Sequence, residues 1–207
     1  MQFRDTTPPA PLPGTEPPTR ALFIDRWGTL LHKPENGFCR TYDEVNFHAG
    51  ATDALFRAQQ AGWILYLLGN EEAVAFGKLK KSAWQKIEES LLTDLGQLGV
   101  TIRKTYTCTD HPEGKAPNDK DSVFLLPNTG AFYHAAQHDS VSLRDSWVIG
   151  DGSLELAAGW RAGCRLARVG EELDASGGEL FVDPHMHLES LSSVIHEIVN
   201  LHAPHNV

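Results

Sequence analysis

Two carboxylates in this sequence stand directly after short apolar runs, where a strand would deliver them to a loop. Asp25 follows the run 21–24, and Asp151 follows the run 147–149 and a glycine. A short apolar run that ends at a turn signal is typical of a central parallel strand that is buried on both faces. Ligands of such sheets bind beyond the carboxyl ends of the strands. Asp25 is therefore the first candidate for chemistry, and Asp151 holds the same kind of position on a later strand.

The elements that must position these carboxylates alternate along the chain. Apolar runs bounded by turn residues predict strands, and apolar residues spaced three or four apart predict helices. The predicted strands cover 21–25, 63–68, a segment that begins at 100, 146–151 and 164–169, and the predicted helices cover 51–61, 78–98, 129–136 and 188–201. A strand–helix–strand order favours parallel pairing with right-handed crossovers. The sequence therefore predicts an α/β fold with a central parallel sheet flanked by helices.

The segment Asp25-Arg26-Trp27-Gly28-Thr29 resembles the first motif of the haloacid dehalogenase (HAD) superfamily, a hydrophobic strand followed by Asp-x-Asp-Gly-Thr. The resemblance implies a HAD-like Rossmannoid fold in which Asp25 is the nucleophile of a phosphatase. It also implies that Gly28 and Thr29 line the ligand site. The second aspartate of the motif, which is the family's general acid and base, is Trp27 in this chain.

The segment 150–163 is the most specific match to the superfamily, whose pattern is Gly-Asp-x-x-x-Asp-x-x-Ala-Gly-x-x-Ala-Gly. Asp151 falls on the family's magnesium ligand, and Glu155 keeps the charge of the second acid. The resemblance thus implies a Mg²⁺ site built from Asp25, the backbone carbonyl of Trp27, Asp151 and Glu155. Such an oxygen-rich set suits a hard cation.

The second motif resembles Thr-Asn-Gln-Ser of the histidinol-phosphate and heptose-bisphosphate phosphatases, and this chain has Gly69-Asn70-Glu71-Glu72. Asn70 is kept, whereas Gly69 offers a ligand only its backbone N–H. We expect both residues to contact the ligand. Glu71 and Glu72 add negative charge where a phosphate would bind, and like charges at that range oppose binding.

The third motif of that branch carries a lysine where this chain has Leu126. The lysine neutralises the nucleophile and the transferred phosphoryl group, and such electrostatic stabilisation is a large part of catalysis. An aliphatic side chain cannot supply the charge. Lys104, Lys115 and Lys120 lie near Leu126 in the sequence, but the sequence alone places none of them at the site.

The segment 108–113 resembles the zinc loop of the same branch, Cys-Pro-His-His-Pro-Glu, which a Cys-x-Cys pair follows. Cys108 and His111 match the pattern, but Asp110 replaces a ligating histidine and the later cysteines are missing. A structural zinc site needs four ligands, usually thiolates and imidazoles. At most two remain, so the sequence argues against zinc.

The chain length of 207 residues is that of one α/β domain, which we assign to 21–207. Residues 1–20 hold six of the twelve prolines and few large apolar residues, which predicts a flexible arm. The arm is either an inert leader or a docking peptide for a protein partner. The segments 31–46 and 108–126 are too short for a large cap domain, so we expect a small cap or none.

Composition excludes several partners and compartments. A formal net charge of -9 argues against nucleic acid, whose binding depends on clustered Lys and Arg. No apolar run approaches the ~20 residues that span a bilayer. Three cysteines without paired spacing and the lack of a secretion signal predict a cytoplasmic protein.

Three functional hypotheses remain open at this point. The first is a HAD-fold protein with weak or absent phosphatase activity that binds a small phosphorylated or anionic ligand or a partner, because Trp27, Gly69 and Leu126 replace catalytic polar groups. The second is an active phosphomonoesterase in which Asp25 is the nucleophile and a non-standard group is the acid and base. The third is a structural role in which the arm 1–20 engages another protein.

Overall fold

Six parallel strands in the order β3-β2-β1-β4-β5-β6 form the sheet of this protein in a computed structural model that describes residues 18–170 and 178–202. The strands are β1 Ala21–Asp25, β2 Ile64–Asn70, β3 Ile102–Cys108, β4 Trp147–Gly150, β5 Arg165–Val169 and β6 Met186–Leu188. The helices are α1 Ala51–Gln60, α2 Glu72–Ala75, α3 Lys81–Gln97, α4 Gly130–Asp139, α5 Ser153–Ala162 and α6 Leu191–Leu201. The α/β class and the parallel sheet predicted from the sequence are confirmed.

Strand β1 lies in the middle of the sheet, and all five of its residues are buried. It pairs with β2 on one side, where Asp25 is opposite Leu68, and with β4 on the other, where Ile24 is opposite Ile149. Burial on both faces explains the continuous apolar run that precedes Asp25. The pairing also brings the carboxyl ends of β1 and β4 side by side, so that Asp25 and the residue after Gly150 are neighbours.

The two faces of the sheet pack into two separate hydrophobic cores. Successive side chains of a strand point to opposite faces. Leu22 and Ile24 pack in a cluster with residues of α1, α3 and α6, whereas Phe23 packs in a cluster with residues of α4 and α5. Phe23 stacks on Tyr66 at 4.9 Å and contacts Phe132 at 4.8 Å between ring centroids. Helices on both faces thus hold β1 rigidly behind Asp25.

Several predicted boundaries differ from those of the structure: α3 begins at Lys81 rather than 78, α4 continues to Asp139, and helices α2 and α5 were not predicted. Strand β3 continues to Cys108, so the start of the segment predicted as a zinc loop is the end of a strand. Strand β6 was not predicted, and it takes residue 188 from the predicted helix 188–201. Its three residues are only half-buried, and so short an outer strand has no alternation long enough to recognise.

The connections above the carboxyl ends are loops. Segments 26–50 and 109–129 contain one 3₁₀ turn, Tyr42–Glu44, and no α-helix or longer strand. Most of the predicted arm 1–20 lies outside the described residues. Near its end, the backbone carbonyl of Thr19 accepts a hydrogen bond from the Ser142 N–H at 2.9 Å. None of the helices within 18–170 and 178–202 is long and apolar enough to cross a membrane.

Candidate functional site

Three carboxylates converge at the carboxyl end of the central strands. Asp25 ends β1, Asp151 follows β4 directly, and Glu155 lies in the first turn of α5. One oxygen of each carboxylate lies within 4.8 Å of an oxygen of the other two. Asp25 and Glu155 are buried, while Asp151 is partly exposed. The structure therefore brings together the three side chains that the sequence suggested as metal ligands.

Local backbone geometry allows this close approach. The backbone N–H of Gly152 donates to Glu155, which fixes the Glu155 carboxylate at the amino end of α5. Gly28 has a φ of +94°, and a Cβ at this position would collide with the carboxylate of Asp151. Gly28 thus leaves the space in which Asp151 faces Asp25. Its contact with a ligand stays a prediction.

Asp25, Asp151 and Glu155 form a carboxylate trio, and burial changes the pKa of two of its members, Asp25 and Glu155. Burial raises the pKa of Asp25 well above its usual value, and the charge of Glu155 raises it further, although the Arg26 guanidinium acts against this. Burial also raises the pKa of Glu155. Clustered carboxylates with little solvent are stable as anions only beside a cation. Three convergent oxygens and their unfavourable charge fit a hard divalent cation.

Lys33 supplies one such positive charge. It lies in the loop after β1, and its ammonium group forms an ion pair with Asp151. The hydrogen bond to Asp151 raises the pKa of Lys33, so the lysine is fully charged at neutral pH. Lys33 was not among the predicted site residues, because only the lysines near Leu126 in the sequence were candidates for the missing charge. The available signal was that Lys33 is the only lysine of the loop 26–50.

Arg26 is a second cation beside Asp25, and its side chain is fully buried. Its Nη1 donates to Thr107 at 2.6 Å, its Nη2 lies 3.6 Å from a Glu71 oxygen, and its guanidinium covers the ring of Trp84 at 4.7 Å. Within the described part of the chain, its Nε and Nη2 make no hydrogen bond. The buried positive charge of Arg26 is therefore only partly neutralised, by Glu71 at 3.6 Å.

Glu71 does not face the ligand site as an unpaired charge, which corrects the expectation from the sequence. It is buried, lies beside Arg26, and accepts a hydrogen bond from the indole N–H of Trp27 at 3.3 Å. Burial raises the pKa of Glu71, and the Arg26 charge opposes that shift. Glu72 is exposed at the start of α2. The negative charge of Glu71 is therefore matched inside the protein.

The Arg26 side chain packs against Gly69, which has no side chain of its own. A Cβ on Gly69 would lie 3.1 Å from Nη2 of Arg26 and 3.4 Å from Oδ1 of Asp25. The lack of a side chain at 69 therefore leaves room for the guanidinium next to Asp25. Trp27, Gly69 and Glu71, which differ from the residues that the resemblance implies at these positions, thus lie around one buried arginine. In space these three residues are neighbours of Arg26. In the sequence they are three separate differences from the motifs.

Among the remaining predicted ligand residues, the side chain of Asn70 makes structural hydrogen bonds, whereas the hydroxyl of Thr29 makes none within the described ranges. The amide of Asn70 bonds both backbone groups of Leu126, donating to its carbonyl at 3.1 Å and accepting from its N–H at 2.9 Å. Asn70 thus ties the end of β2 to the loop before α4. Thr29 is buried, and its hydroxyl has no hydrogen-bond partner among the described residues. The backbone carbonyl of Trp27 as a metal ligand stays a prediction.

An open cavity of ≈ 710 Å³ adjoins Lys33 and could hold the organic part of a ligand. Its polar lining comes from two parts of the loop between β1 and α1, and includes His32, Lys33, Glu44 and Asn46. Lys33 contributes both to this cavity and to the carboxylate trio. Lys33 therefore links the cavity to the carboxylate trio through its ion pair with Asp151.

The segment that resembles a zinc loop uses its side chains locally. Cys108 donates to the backbone oxygen of Asp110 at 3.2 Å, and the His111 ring accepts from the backbone N–H of Glu113 at 3.1 Å. In residues 18–170 and 178–202, the carboxylate trio is the one group of three converging candidate metal ligands. The argument against zinc remains a prediction.

Sequence comparisons relate the chain to phosphatases. No protein-family model matches it. The D-glycero-beta-D-manno-heptose-1,7-bisphosphate 7-phosphatase of Haemophilus ducreyi is 28% identical over 162 residues, which are 76% of this chain and 88% of that protein. The enzyme of the same name from Escherichia coli is 25% identical over 157 residues, 74% of this chain and 82% of its own length.

Solved structures share the fold over almost the whole chain. A HAD-like protein of Mesorhizobium loti, proposed to be a phosphatase, matches with a TM-score of 0.72 and 25% identity, covering 89% of this chain and 86% of that one. The D,D-heptose 1,7-bisphosphate phosphatase of B. bronchiseptica, complexed with magnesium and phosphate, matches with a TM-score of 0.74 and 21% identity, covering 88% and 99%. With the parallel sheet and the carboxylates at its edge, these similarities show that the chain belongs to the haloacid dehalogenase superfamily.

Proposed function

We propose that this chain is a Mg²⁺-dependent protein of the HAD phosphatase type that binds a small phosphorylated ligand and hydrolyses phosphate esters weakly or not at all. The observation that carries the proposal is the convergence of Asp25, Asp151 and Glu155 within 4.8 Å of one another. The similarity to phosphatases, one of them complexed with magnesium and phosphate, supports the choice of metal and ligand.

The binding half of the proposal follows from charge. Asp25, Asp151 and Glu155 would hold Mg²⁺, which when bound supplies positive charge to the phosphoryl oxygens. The cavity next to Lys33 accommodates the rest of the ligand. Arg26 lowers the proton affinity of Asp25 from inside the protein. A bound metal and Arg26 together would oppose the effect of burial and favour the ionised form of Asp25.

The chemical half is limited by proton transfer. At position 27 the chain has an indole, whose N–H donates to Glu71 and cannot serve as an acid at neutral pH. A leaving alkoxide would therefore depart without a proton from this residue. The loss of a general acid typically lowers the rate by ~10²–10⁴. Leu126 is buried and adds no charge to offset that loss.

The experiment compares two phosphate esters that differ in their need for a proton. We expect slow Mg²⁺-dependent release of phosphate from p-nitrophenyl phosphate, whose leaving group departs as a stable anion, and less from an alkyl phosphate such as glycerol phosphate. Asp25→Asn should abolish both. Calorimetric titration with MgCl₂ should show one site in the wild type and none in Asp151→Asn.

Two outcomes would contradict the proposal. Rapid hydrolysis of alkyl phosphates, lost in Asp25→Asn, would show a full phosphatase with another acid. A wild-type protein that binds no Mg²⁺, or whose binding survives Asp151→Asn, would remove the metal site itself.

A further inference from the structure

Among the described residues, Lys33 and Arg26 lie beside the carboxylate groups of the trio, and Arg168 donates to the backbone oxygen of Asp151 at 3.5 Å. Arg26 and Arg168 are buried, so only Lys33 can meet a ligand. Arg26 is fully buried behind Asp25. The Lys33 side chain is 66% exposed, and its ammonium group pairs with Asp151, whose side chain is 18% exposed. A phosphoryl group that approaches Asp25 from solvent can therefore contact Lys33 but not Arg26.

We infer that Lys33 is the phosphoryl-binding cation of this site, and that it shares Asp151 with the metal, so that metal loading exchanges one cation for another. The inference rests on the proposed function, which it deepens by naming the residue that replaces the charge missing at Leu126. Lys33 comes from the loop after β1, whereas Leu126 comes from the loop before α4. The same charge thus reaches the site from a different element.

The competition follows from the geometry of Asp151. Its Oδ2 accepts a hydrogen bond from the ammonium group of Lys33. One oxygen of the same carboxylate also lies within 4.8 Å of oxygens of Asp25 and Glu155. A divalent cation held by the trio repels an ammonium group in contact with one of its ligands. Lys33 then leaves Asp151 as the metal binds. An exposed lysine on a loop can make this move at little conformational expense, because its four-carbon stem is flexible.

The released ammonium group remains at the site. Lys33 also lines the cavity beside the trio, together with His32 and Asn46. A small rotation of its stem carries the charge from Asp151 toward a ligand in that cavity. Contacts between an ammonium group and a phosphoryl oxygen are charge-assisted hydrogen bonds, which are stronger than neutral ones.

The first test measures metal binding without any reaction. MgCl₂ is titrated calorimetrically into metal-free wild type, Lys33→Met and the control Lys81→Met, which removes an equal charge from an exposed position on α3. We expect Lys33→Met to bind Mg²⁺ about fivefold more tightly, a change of about 1 kcal/mol. Lys81→Met should match the wild type.

The second test measures anion binding. Inorganic phosphate is titrated into the same proteins saturated with Mg²⁺. We expect Lys33→Met to bind phosphate about tenfold more weakly or worse, as the loss of a hydrogen bond to a charged group implies. Lys33→Arg should recover most of the affinity, because it keeps the charge.

The results separate this inference from the proposed function. If the wild type binds Mg²⁺ through Asp151 but Lys33→Met changes neither affinity, or only one of the two, the role of Lys33 is wrong and the proposed function stands. If the wild type binds no Mg²⁺, or Asp151→Asn leaves binding intact, the proposed function is wrong.

Discussion

The groups around Asp25 shift its pKa in opposite directions. Burial and the carboxylates of Glu155 and Asp151 raise its pKa, and the guanidinium of Arg26 lowers it. A carboxyl group whose pKa is raised on folding destabilises the fold when it is ionised. The surroundings that suit Asp25 to a cation therefore work against stability when no cation is bound.

Asp25→Asn should stabilise the metal-free protein. At pH 7.5 and in EDTA, we expect its Tm to rise by about 2–4 °C, since the variant removes one of three close charges. The gain should shrink as the pH falls through the raised pKa of Asp25, because the wild-type carboxyl group then becomes neutral. Thermal unfolding followed by circular dichroism between pH 5 and 8 measures both effects. An unchanged or lower Tm at pH 7.5 would contradict the prediction, and exposed Asp119→Asn is the control.

Glu71 and Glu72 are adjacent residues with different surroundings, which makes them a matched pair. Glu71→Ala leaves the fully buried Arg26 without its anion, and breaking a buried pair in this way typically costs about 3–5 kcal/mol. Glu71→Gln should cost less because it can still accept from Trp27. Glu72→Ala should change the free energy of unfolding by less than about 0.5 kcal/mol. Urea denaturation measures all three, and equal effects of Glu71→Ala and Glu72→Ala would refute the buried pair.

Among the elements, the turn after β1 decides whether the carboxylates can meet. The turn closes through the Gly28 N–H, which donates to the Leu31 carbonyl at 2.6 Å, and the Leu31 N–H, which donates to the Arg26 carbonyl at 2.8 Å. Gly28 takes a positive φ there and lies against Asp151, which follows β4. The turn therefore links the conformation of one loop to the carboxylate of another strand.

Gly28→Ala should damage the metal site more than the fold. Gly37→Ala is the matched control, because Gly37 also has a positive φ, of 79°, but nothing lies within 4 Å of its Cβ position. Both variants should lose about 1–2 kcal/mol of stability from the left-handed backbone. Only Gly28→Ala should weaken Mg²⁺ binding, by tenfold or more, because its methyl group displaces Asp151. Calorimetry gives the affinities, and similar Mg²⁺ binding by both variants would argue against the close approach.

At the scale of the whole molecule, the trio joins parts of the chain that are far apart in sequence. Asp25 ends the central strand β1, Asp151 follows β4, and Glu155 lies in α5. A ligand held by all three binds only the folded chain, and such a ligand shifts the folding equilibrium by mass action. The proposed metal should therefore stabilise the entire domain.

MgCl₂ at about 100 times its dissociation constant should raise the free energy of unfolding by about 2.7 kcal/mol. For a domain of this size that corresponds to a rise in Tm of about 5–10 °C. Differential scanning calorimetry at increasing MgCl₂ measures it, with KCl at equal ionic strength as the control. A rise of the same size in Asp151→Asn would mean that the metal acts elsewhere.

The sequence predicted much of the sheet because its central strands are buried on both faces. Such strands are continuous apolar runs, and the runs before Asp25 and Asp151 are of this kind. Strand β6 has only half-buried residues, so it left no such pattern. The end of β3 was not predicted because Cys108 belongs to the segment that resembles a zinc loop.

The sequence by itself determined the fold class and the places of Asp25 and Asp151 at strand ends, because burial and parallel pairing leave periodic traces in the residue order. Glu155 was a candidate only through the resemblance to the superfamily motif. Only the tertiary structure decided the charges around these carboxylates. The pairing of Lys33 with Asp151, and of Arg26 with Glu71 next to Gly69, joins residues of different loops and strands. Such contacts depend on distances in space, for which one sequence has no signal. They change the description of Asp25 from a single candidate nucleophile to one carboxylate of a trio that lies beside two cations, the buried Arg26 next to Asp25 and the exposed Lys33 on Asp151.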